Sequence, residues 1–267
     1  MSESVLYAVD ENGVATITLN RPEKHNAFDD GLIAQLTHLF QQAGNDTAIR
    51  AVVLAANGKS FCAGADVAWM QRMANYSYDE NLRDANALAT MLHTLNTLPK
   101  PTIARVQGSA YGGAVGLIAC CDMAIGSKMS KFCLSEVKLG LVPATISPYV
   151  IEAIGARLAR RYFLSAEVFS SRRARRIGLL SESVTEEELD STIDDIVSHI
   201  LKNGPVAVAA AKQLISDVAQ RPIDRELIAQ TSACIAAIRT SDEGQEGLQS
   251  FLNKRKPNWL NATKETP

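Results

Sequence analysis

The pattern that most constrains the fold is an alternation of short apolar strands with helical stretches over the first two thirds of the chain. Residues 51–55 form a continuous apolar run, which is typical of a strand covered on both faces. Residues 14–20 alternate apolar and polar with period two, and residues 28–43 carry apolar side chains at helical spacing. The same criteria predict strands at 4–8, 102–106, 122–125 and 131–134, and a helix at 78–98. This alternation indicates an α/β fold.

From about residue 186 the strand pattern stops, and only helical segments follow. They cover residues 186–203, 205–220, 224–240 and 242–255. We therefore divide the chain into an α/β body at residues 1–195 and a C-terminal helical region at residues 196–267. The loops are too short for a free linker, so we expect the helical region to pack on the body or on another copy. Such packing would bury apolar residues such as Leu214, Ile215 and Val218.

Charge and hydropathy argue against several classes of protein. Of the 267 residues, 27 are Lys or Arg and 29 are Asp or Glu, which gives a net charge of −2. We therefore expect no nucleic-acid partner, and interpret the arginines at 157–176 as a solvated or subunit-contacting surface. No stretch approaches the ~20 apolar residues that span a membrane, so no membrane association is expected. The first residues lack the basic and apolar regions of a secretory signal, which favours a cytoplasmic location.

The cysteines and histidines do not suggest a metal or disulfide framework. The five cysteines are odd in number and lie in apolar runs, which predicts buried free thiols. Cys120 and Cys121 are adjacent, and this spacing does not suit zinc ligands. The four histidines are scattered along the chain. The sequence therefore predicts no metal site.

Two glycine-rich loops are candidate binding elements. Residues 61–66 and residues 108–116 each follow an apolar strand and precede a helical stretch. Backbone N–H groups at a helix N-terminus point outward and favour negative charge. Two such groups aimed at one oxygen would form an oxyanion hole. The alternative is that the glycines only make tight turns. The second loop does not fit the dinucleotide-binding pattern of glycines.

Glu136 is the candidate acid or base. It follows an apolar strand and has apolar neighbours. A carboxyl group in such surroundings has its charged form disfavoured, which brings its pKa closer to neutral pH. The alternative is a solvated glutamate at the end of a strand.

Several ordered motifs together resemble the crotonase superfamily, also called the enoyl-CoA hydratase/isomerase family. They are the AGAD loop at 63–66, the GGAxG loop at 112–116, the SE…G…P segment at 135–143, the stretch 19–28 and the tail at 251–257. The resemblance extends from about residue 5 to residue 259. It implies a crotonase-type spiral of ββα repeats followed by a C-terminal helical region. It also implies homotrimers, often paired as hexamers.

The resemblance implies an acyl thioester of coenzyme A as the substrate. The backbone N–H groups of Ala65 and Gly113 match the two positions that hold the thioester oxygen, with Glu136 as the acid or base. Lys24, with the backbone around Ala27 and Ala63, matches the segment that receives the CoA adenine and phosphates. Lys254 lies where the family's C-terminal tail often reaches CoA. CoA belongs to the substrate, so no separate cofactor is expected.

The chain departs from the family pattern at one catalytic position. Hydratases of the family use two glutamates, whereas here Glu136 is present and Gly116 occupies the other position. A single carboxylate suits proton transfer between C2 and C4 of an enoyl chain, which is isomerase chemistry. A non-catalytic CoA- or RNA-binding scaffold is a third alternative, and the presence of both glycine loops and Glu136 argues against it.

A narrower resemblance favours a hydratase. Residues 111–126, 132–137 and 143–150 are similar to the bacterial branch that hydrates branched, carboxylated enoyl-CoAs such as 3-methylglutaconyl-CoA, in leucine or acyclic terpene breakdown. We therefore rank this enoyl-CoA hydratase activity first. Candidate partners for a substrate carboxylate, by position only, are Arg72, Lys138, Ser147 and Tyr149. Trp69 and Met70 are predicted either to line the acyl pocket or to lie in the core.

Overall fold

The structure, a computed structural model, describes residues 3–260 and contains two sheets. The first sheet has six strands, in the order β1 (Val5–Val9), β2 (Val14–Leu19), β3 (Ala51–Ala56), β5 (Thr102–Val106), β7 (Met123–Ser127) and β10 (Glu182–Val184). The second has four, in the order β4 (Ser60–Cys62), β6 (Ser109–Tyr111), β8 (Lys131–Cys133) and β9 (Phe169–Ser170). Among the strand pairs of residues 3–260, only β1–β2 and β8–β9 are antiparallel.

Helices alternate with the strands up to β10, and the described chain after β10 forms only helices. They are α1 (Asp30–Asn45), α2 (Val67–Met73), α3 (Tyr78–Asn96), α4 (Gly113–Cys120), α5 (Ser147–Ser165), α6 (Ser171–Arg176), α7 (Leu189–Leu201), α8 (Pro205–Val218), α9 (Arg225–Thr240) and α10 (Asp242–Leu252). Short 3₁₀ turns lie at Pro22–Lys24, Glu136–Leu139 and Asn258–Leu260. Asp29, Asp66 and Ser77 cap α1, α2 and α3 through their side chains.

The chain winds as a spiral of ββα units. Three consecutive pairs of strands each place their first strand in the first sheet and their second strand in the second sheet: β3–β4, β5–β6 and β7–β8. Helices return the chain to the first sheet after β4 and after β6, whereas after β8 the helix α5 leads to β9 of the second sheet and α6 leads on to β10 of the first. This arrangement confirms the predicted α/β fold with ββα repeats.

The core lies where the sheets meet the helices. All six residues of β3 are buried, as the apolar run predicted. Phe28, Phe40, Phe61 and Phe132 are among the largest fully buried side chains. Among the described residues, no helix is long and apolar enough to cross a membrane.

The glycine-rich loops contain structure that the sequence pattern did not predict. The three-residue strand β4 overlaps the start of the first loop and the three-residue strand β6 lies within the second, and these strands pair in parallel. A strand this short cannot display a periodic pattern, so both appeared as loop in the sequence analysis. α1, α3 and α7 to α10 begin and end within a few residues of the predicted positions, whereas α5 and the shorter α2 and α6 were not predicted.

The C-terminal helices differ in how they meet the body. α7 packs on the first sheet through Leu189 and Ile193, and it runs across the proposed boundary at residue 195. The two-part division therefore stays a prediction.

α8 is held by Lys212, whose Nζ donates to Asp122 Oδ2 at 2.8 Å and to the Lys100 carbonyl at 3.1 Å. Ile215 is 69% exposed within the single chain.

Candidate active site

Three parallel strands of the second sheet bring the candidate residues to one place. β6 lies between β4 and β8, with Cys62 opposite Ala110 and Tyr111 opposite Cys133. The carboxyl ends of parallel neighbours lie at the same edge of a sheet, and ligands of α/β proteins commonly bind there. The loops that carry Ala65, Gly113 and Glu136 leave the sheet at this edge. The topology therefore joins the three motifs that sequence analysis selected.

The loop after β4 leaves one backbone donor free. Gly64 has φ of 95°, a left-handed conformation that favours glycine. The Gly64 carbonyl accepts a hydrogen bond from the Phe28 N–H at 2.7 Å, and the Asp66 N–H donates to the Phe28 carbonyl at 2.7 Å. The N–H of Ala65, between these two peptide groups, has no hydrogen-bond partner among residues 3–260.

The loop after β6 presents a second free donor. Gly112 is the N-cap of α4 with φ of 55°, and its N–H donates to the Cys133 carbonyl at 2.8 Å. Gly113 is the first residue of α4, so its N–H has no acceptor within the helix. No other described residue accepts from it. A negative charge at this point would also be favoured by the dipole of α4.

Glu136 lies against this helix N-terminus. A methyl group placed on Gly112 would lie 3.3 Å from Oε1 of Glu136, so the carboxyl group reaches the start of α4. Oε2 is buried, and it has no hydrogen-bond partner among the described residues. Burial raises the pKa of Glu136, although an N–H of its own backbone partly opposes the shift. An orphaned, desolvated carboxyl group of this kind is suited to proton transfer.

The arrangement has the parts that acyl-thioester chemistry needs. The N–H groups of Ala65 and Gly113 can donate hydrogen bonds to a carbonyl oxygen on which negative charge develops. Glu136 is the carboxyl group next to that position. Cys62 and Cys121 are not suited to act as nucleophiles, since burial raises the pKa of each thiol to about 12.

Ile146 fills the place where a second carboxylate would project from α4. A methyl group on Gly116 would lie 2.2 Å from Cγ2 of Ile146, which is itself 1% exposed. Gly112 and Gly116 are four residues apart, so Glu136 and Ile146 cover the same face of α4, one turn apart. No side chain fits at Gly116 unless Ile146 moves. Within residues 3–260, Glu136 is therefore the one carboxyl group on this face of the site.

A partly buried ion network supports the Ala65 loop. Asp66 caps α2 and lies 3.3 Å from Nη2 of Arg21 and 3.1 Å from Nζ of Lys24. Arg21 also contacts Asp29, the N-cap of α1, at 2.5 Å. Burial alone would raise the pKa of Asp66, but hydrogen bonds from Lys24 and from two backbone N–H groups hold it below its usual value. This network was not predicted from the sequence, although an aspartate just before a helix is a recognisable N-cap signal.

Known proteins match the chain over nearly its whole length. A family model described as enoyl-CoA hydratase/isomerase matches residues 10–262. The chain belongs to the enoyl-CoA hydratase/isomerase family. The prediction of this superfamily from the sequence motifs is thus confirmed.

Individual members of the enoyl-CoA hydratase/isomerase family support the same conclusion. A Legionella pneumophila structure assigned to the enoyl-CoA hydratase/isomerase (crotonase) group is 49% identical, with a TM-score of 0.91 over 96% of this chain and 98% of its own. An enoyl-CoA hydratase from Shewanella pealeana is 43% identical, with a TM-score of 0.93 over 96% of each chain. The crotonyl-CoA hydratase of Syntrophomonas wolfei is 32% identical over 94% of this chain and 95% of its own length.

Within this family fold, three of the four predicted CoA-binding residues lie together. The Ala63 N–H donates to the His25 carbonyl at 3.0 Å, and the Ala27 N–H donates to the Lys24 carbonyl at 3.1 Å. Lys24 is half-exposed and bonded to Asp66. Lys254 follows α10, and no ion pair or hydrogen bond joins it to this group among the described residues. Its part in CoA binding stays a prediction.

The candidate partners for a substrate carboxylate differ in their surroundings. Arg72 pairs with Asp30 at 2.5 Å, and the Ser147 hydroxyl donates to the Ala144 carbonyl. Lys138 is exposed on the 3₁₀ turn that begins at Glu136, and it forms no ion pair within residues 3–260.

The remaining predicted residues have mainly structural surroundings. Tyr149 lines a separate cavity of about 670 Å³ between the body and α8. Trp69 is buried in the main core, where its indole N–H donates to Asp84 at 3.3 Å, and Met70 is half-buried. No group of three metal-ligating side chains lies among the described residues.

Proposed function

We propose that this protein is an enoyl-CoA hydratase, which adds water across the C2=C3 bond of an enoyl-CoA thioester. The observation that carries the proposal is that three groups without hydrogen-bond partners among the described residues, the N–H groups of Ala65 and Gly113 and Oε2 of Glu136, lie on loops at one edge of the second sheet. Membership of the family and the likeness to a crotonyl-CoA hydratase support it. The proposed reaction needs no cofactor, because CoA is part of the substrate.

The reaction follows from these groups. The thioester oxygen accepts hydrogen bonds from Ala65 and Gly113, which draws electrons from C3. Glu136 takes a proton from water as the water oxygen bonds to C3, and the electron pair of the double bond moves to form an enolate. The two N–H groups stabilise the enolate oxygen. Protonated Glu136 then gives a proton to C2, which restores the carboxylate and completes the addition of one water.

CoA would be held by the segment around Lys24, Ala27 and Ala63. The CoA phosphates are anionic and Lys24 is half-exposed, so its ammonium group can face them while Arg21 continues to neutralise Asp66. Lys254 would add a second cation from the C-terminal tail.

One observation favours isomerisation as a second candidate function. Ile146 fills the space beside Gly116, so a single carboxyl group serves the reacting carbons. Glu136 could take a proton from C2 of a 3-enoyl-CoA and return it to C4, which moves the double bond to C2=C3, while the same two N–H groups hold the dienolate.

For the acyl group we propose a branched, carboxylated chain such as that of 3-methylglutaconyl-CoA. The proposal is supported by the motif resemblance and by Lys138, a cation two residues from Glu136 with no ion pair among the described residues. Lys138→Gln should raise KM for the carboxylated substrate about three- to fivefold, because one exposed charge pair contributes at most about 1 kcal/mol, and it should leave KM for crotonyl-CoA unchanged within about 1.5-fold. Equal effects on both substrates would remove Lys138 from this role.

Glu136→Gln tests the proposed function itself. The variant should lose about 10²–10⁴-fold in kcat, because its amide cannot exchange protons, while thioester binding measured by calorimetry remains. Activity equal to that of the wild type would contradict the role of Glu136. Thioester binding by a wild-type protein without turnover would instead support the non-catalytic scaffold.

A further inference from the structure

Phe28 contacts both halves of the oxyanion hole. Its backbone holds the Ala65 loop from both sides, through the Phe28 N–H to the Gly64 carbonyl and the Asp66 N–H to the Phe28 carbonyl, each at 2.7 Å. The two segments thus form a parallel bridge between Phe28 and Ala65. Because both flanking peptide groups are fixed, the direction of the Ala65 N–H follows the position of Phe28.

The ring of Phe28 packs on the other half of the oxyanion hole, at Gly113. A methyl group added at Gly113 would lie 3.2 Å from Cε2 of Phe28 and 3.5 Å from Cδ2. The ring therefore lies directly on the first residue of α4, and Phe28 is 2% exposed.

Phe28 is itself firmly anchored. The next residue, Asp29, caps α1 through the Leu32 N–H at 2.8 Å and pairs with Arg21. Arg21 in turn pairs with Asp66, on the far side of Ala65. Phe28 is thus fixed by the capped start of α1, which follows it, and by the loop that it holds.

We propose that Phe28 is a positioning residue that sets the separation and aim of the Ala65 and Gly113 N–H groups. The inference rests on the proposed function, because it concerns the oxyanion hole of that reaction. Phe28 acts through backbone groups and does not touch the reacting atoms. Oxyanion stabilisation depends on donors fixed at short range, so a small shift of one half lowers the rate without changing the chemistry.

Phe28→Leu tests the ring separately from the backbone. Leucine keeps both backbone hydrogen bonds and loses the ring on Gly113. We expect kcat to fall about 10–10²-fold, with KM changed less than about threefold. Phe40→Leu is the matched control, because Phe40 is a buried core residue of the neighbouring α1. This control should keep kcat within about twofold of wild type if loss of core packing alone does not alter the rate.

A spectroscopic measurement separates positioning from general destabilisation. Bound butyryl-CoA, ¹³C-labelled at the thioester carbonyl, should show a lowered carbonyl stretch in wild type and in Phe40→Leu, because two N–H groups polarise the bond. In Phe28→Leu the stretch should move back toward the value in solution. An unpolarised carbonyl in wild type would refute the proposed oxyanion hole. A polarised carbonyl with identical spectra in Phe28→Leu and Phe40→Leu would refute only the role of Phe28.

A double variant gives a second, independent test. Gly113→Ala places a methyl group against the ring, and Leu at position 28 provides space for it. The loss of kcat in Gly113→Ala plus Phe28→Leu should therefore be smaller than the product of the two single losses. Multiplicative losses would overturn the proposal. If Phe28→Leu unfolds, Phe28→Met serves in its place. A fall in kcat that matches the unfolded fraction of both Phe28→Leu and Phe28→Met would also overturn the proposed positioning role of Phe28.

Discussion

Glu136 owes its chemical character to its immediate surroundings. The start of α4 and the adjacent loops remove water from its carboxyl group, and no described residue donates a hydrogen bond to Oε2. Burial therefore raises its pKa. A carboxyl group that resists ionisation can return a proton to carbon, which a fully solvated glutamate does poorly near neutral pH.

The raised pKa of Glu136 predicts opposite effects on activity and stability. Burial disfavours the ionised carboxylate of Glu136 in the folded state, so ionisation of this group lowers the free energy of unfolding. This loss of stability is absent below the pKa of about 4.3 in the unfolded chain, and it grows as pH rises through the raised pKa of the folded state. Glu136→Gln should therefore melt at a higher temperature than wild type at pH 7, and this advantage should shrink toward pH 4. Differential scanning calorimetry from pH 4 to 8 measures the difference. A constant difference across that range would show that the pKa is not raised.

Removing the charge of Asp66 should lower the stability of the protein, in contrast to removing that of Glu136. Asp66→Asn can still cap α2 but loses its attraction to Arg21 and Lys24, so we expect the free energy of unfolding to fall by about 2 kcal/mol or more at pH 7. Since the folded pKa of Asp66 is lowered, this difference should diminish as pH falls below about 4.

Asp224→Asn is the matched control for Asp66. Asp224 caps α9 through the Leu227 N–H and is exposed, without an ion pair among the described residues. Its substitution should cost less than about 0.5 kcal/mol, because asparagine is an equally good cap. Urea denaturation compares the two variants, and equal losses would show that the ion network contributes nothing.

At the level of elements, α4 is the part of the fold on which the active site depends most. Its N-terminus supplies the Gly113 N–H, its first turn supports Glu136, and its next turn packs on Ile146. Glycine at both Gly112 and Gly116 lets other groups approach the helix closely. The close packing at Gly116 makes the site sensitive to a single methyl group.

Gly116→Ala should destabilise the protein, although alanine favours helix. The new methyl group would lie 2.2 Å from Ile146 Cγ2, so we expect a loss of about 1–3 kcal/mol. Gly31→Ala, in α1, is the control: the nearest atom would lie 3.5 Å away, and this variant should be neutral or slightly more stable. Chemical denaturation measures both. A Gly116→Ala protein as stable as wild type would show that Ile146 moves freely.

The elements differ in how far the sequence predicted them. β3 and α3 were predicted within a few residues, because their hydrophobic periodicity extends over enough positions to be recognised. β4 and β6 were not, because three residues are too few to show a period. Their existence depends on pairing with each other, which is a tertiary effect.

The site was partly predictable for a similar reason. Ala65, Gly113 and Glu136 were selected from local motifs and from the family resemblance, and the structure places their loops at one sheet edge. The contacts of Phe28 with Gly113 and of Ile146 with Gly116 join residues far apart in the sequence. Such contacts follow from how the ββα units pack, and no local sequence pattern predicts them.

At the level of the whole molecule, the C-terminal helices leave apolar side chains uncovered. Ile215, Phe251 and Leu252 are 69%, 82% and 75% exposed in the single chain. Exposed apolar surface on several helices is characteristic of an interface between subunits. We propose that these helices join copies of the chain as a homotrimer, or as a pair of trimers.

Light scattering of purified variants tests this assembly. Wild type should have the mass of three or six chains, and Ile215→Glu should lower it, because burying a charge in an apolar contact is unfavourable. Met129→Glu is the control, since Met129 is equally exposed but lies in the turn between β7 and β8. A monomeric wild type, or an Ile215→Glu protein of unchanged mass, would contradict the proposed role of this surface.

The most direct measurement is product analysis by mass after incubation of the purified protein with 3-methylglutaconyl-CoA, crotonyl-CoA and a 3-enoyl-CoA, each separately. We predict a product heavier by one water from the carboxylated thioester, with slower hydration of crotonyl-CoA. A 3-enoyl-CoA product of unchanged mass and shifted double bond, with no hydration of the other two thioesters, would contradict the hydratase and make the isomerase the correct function.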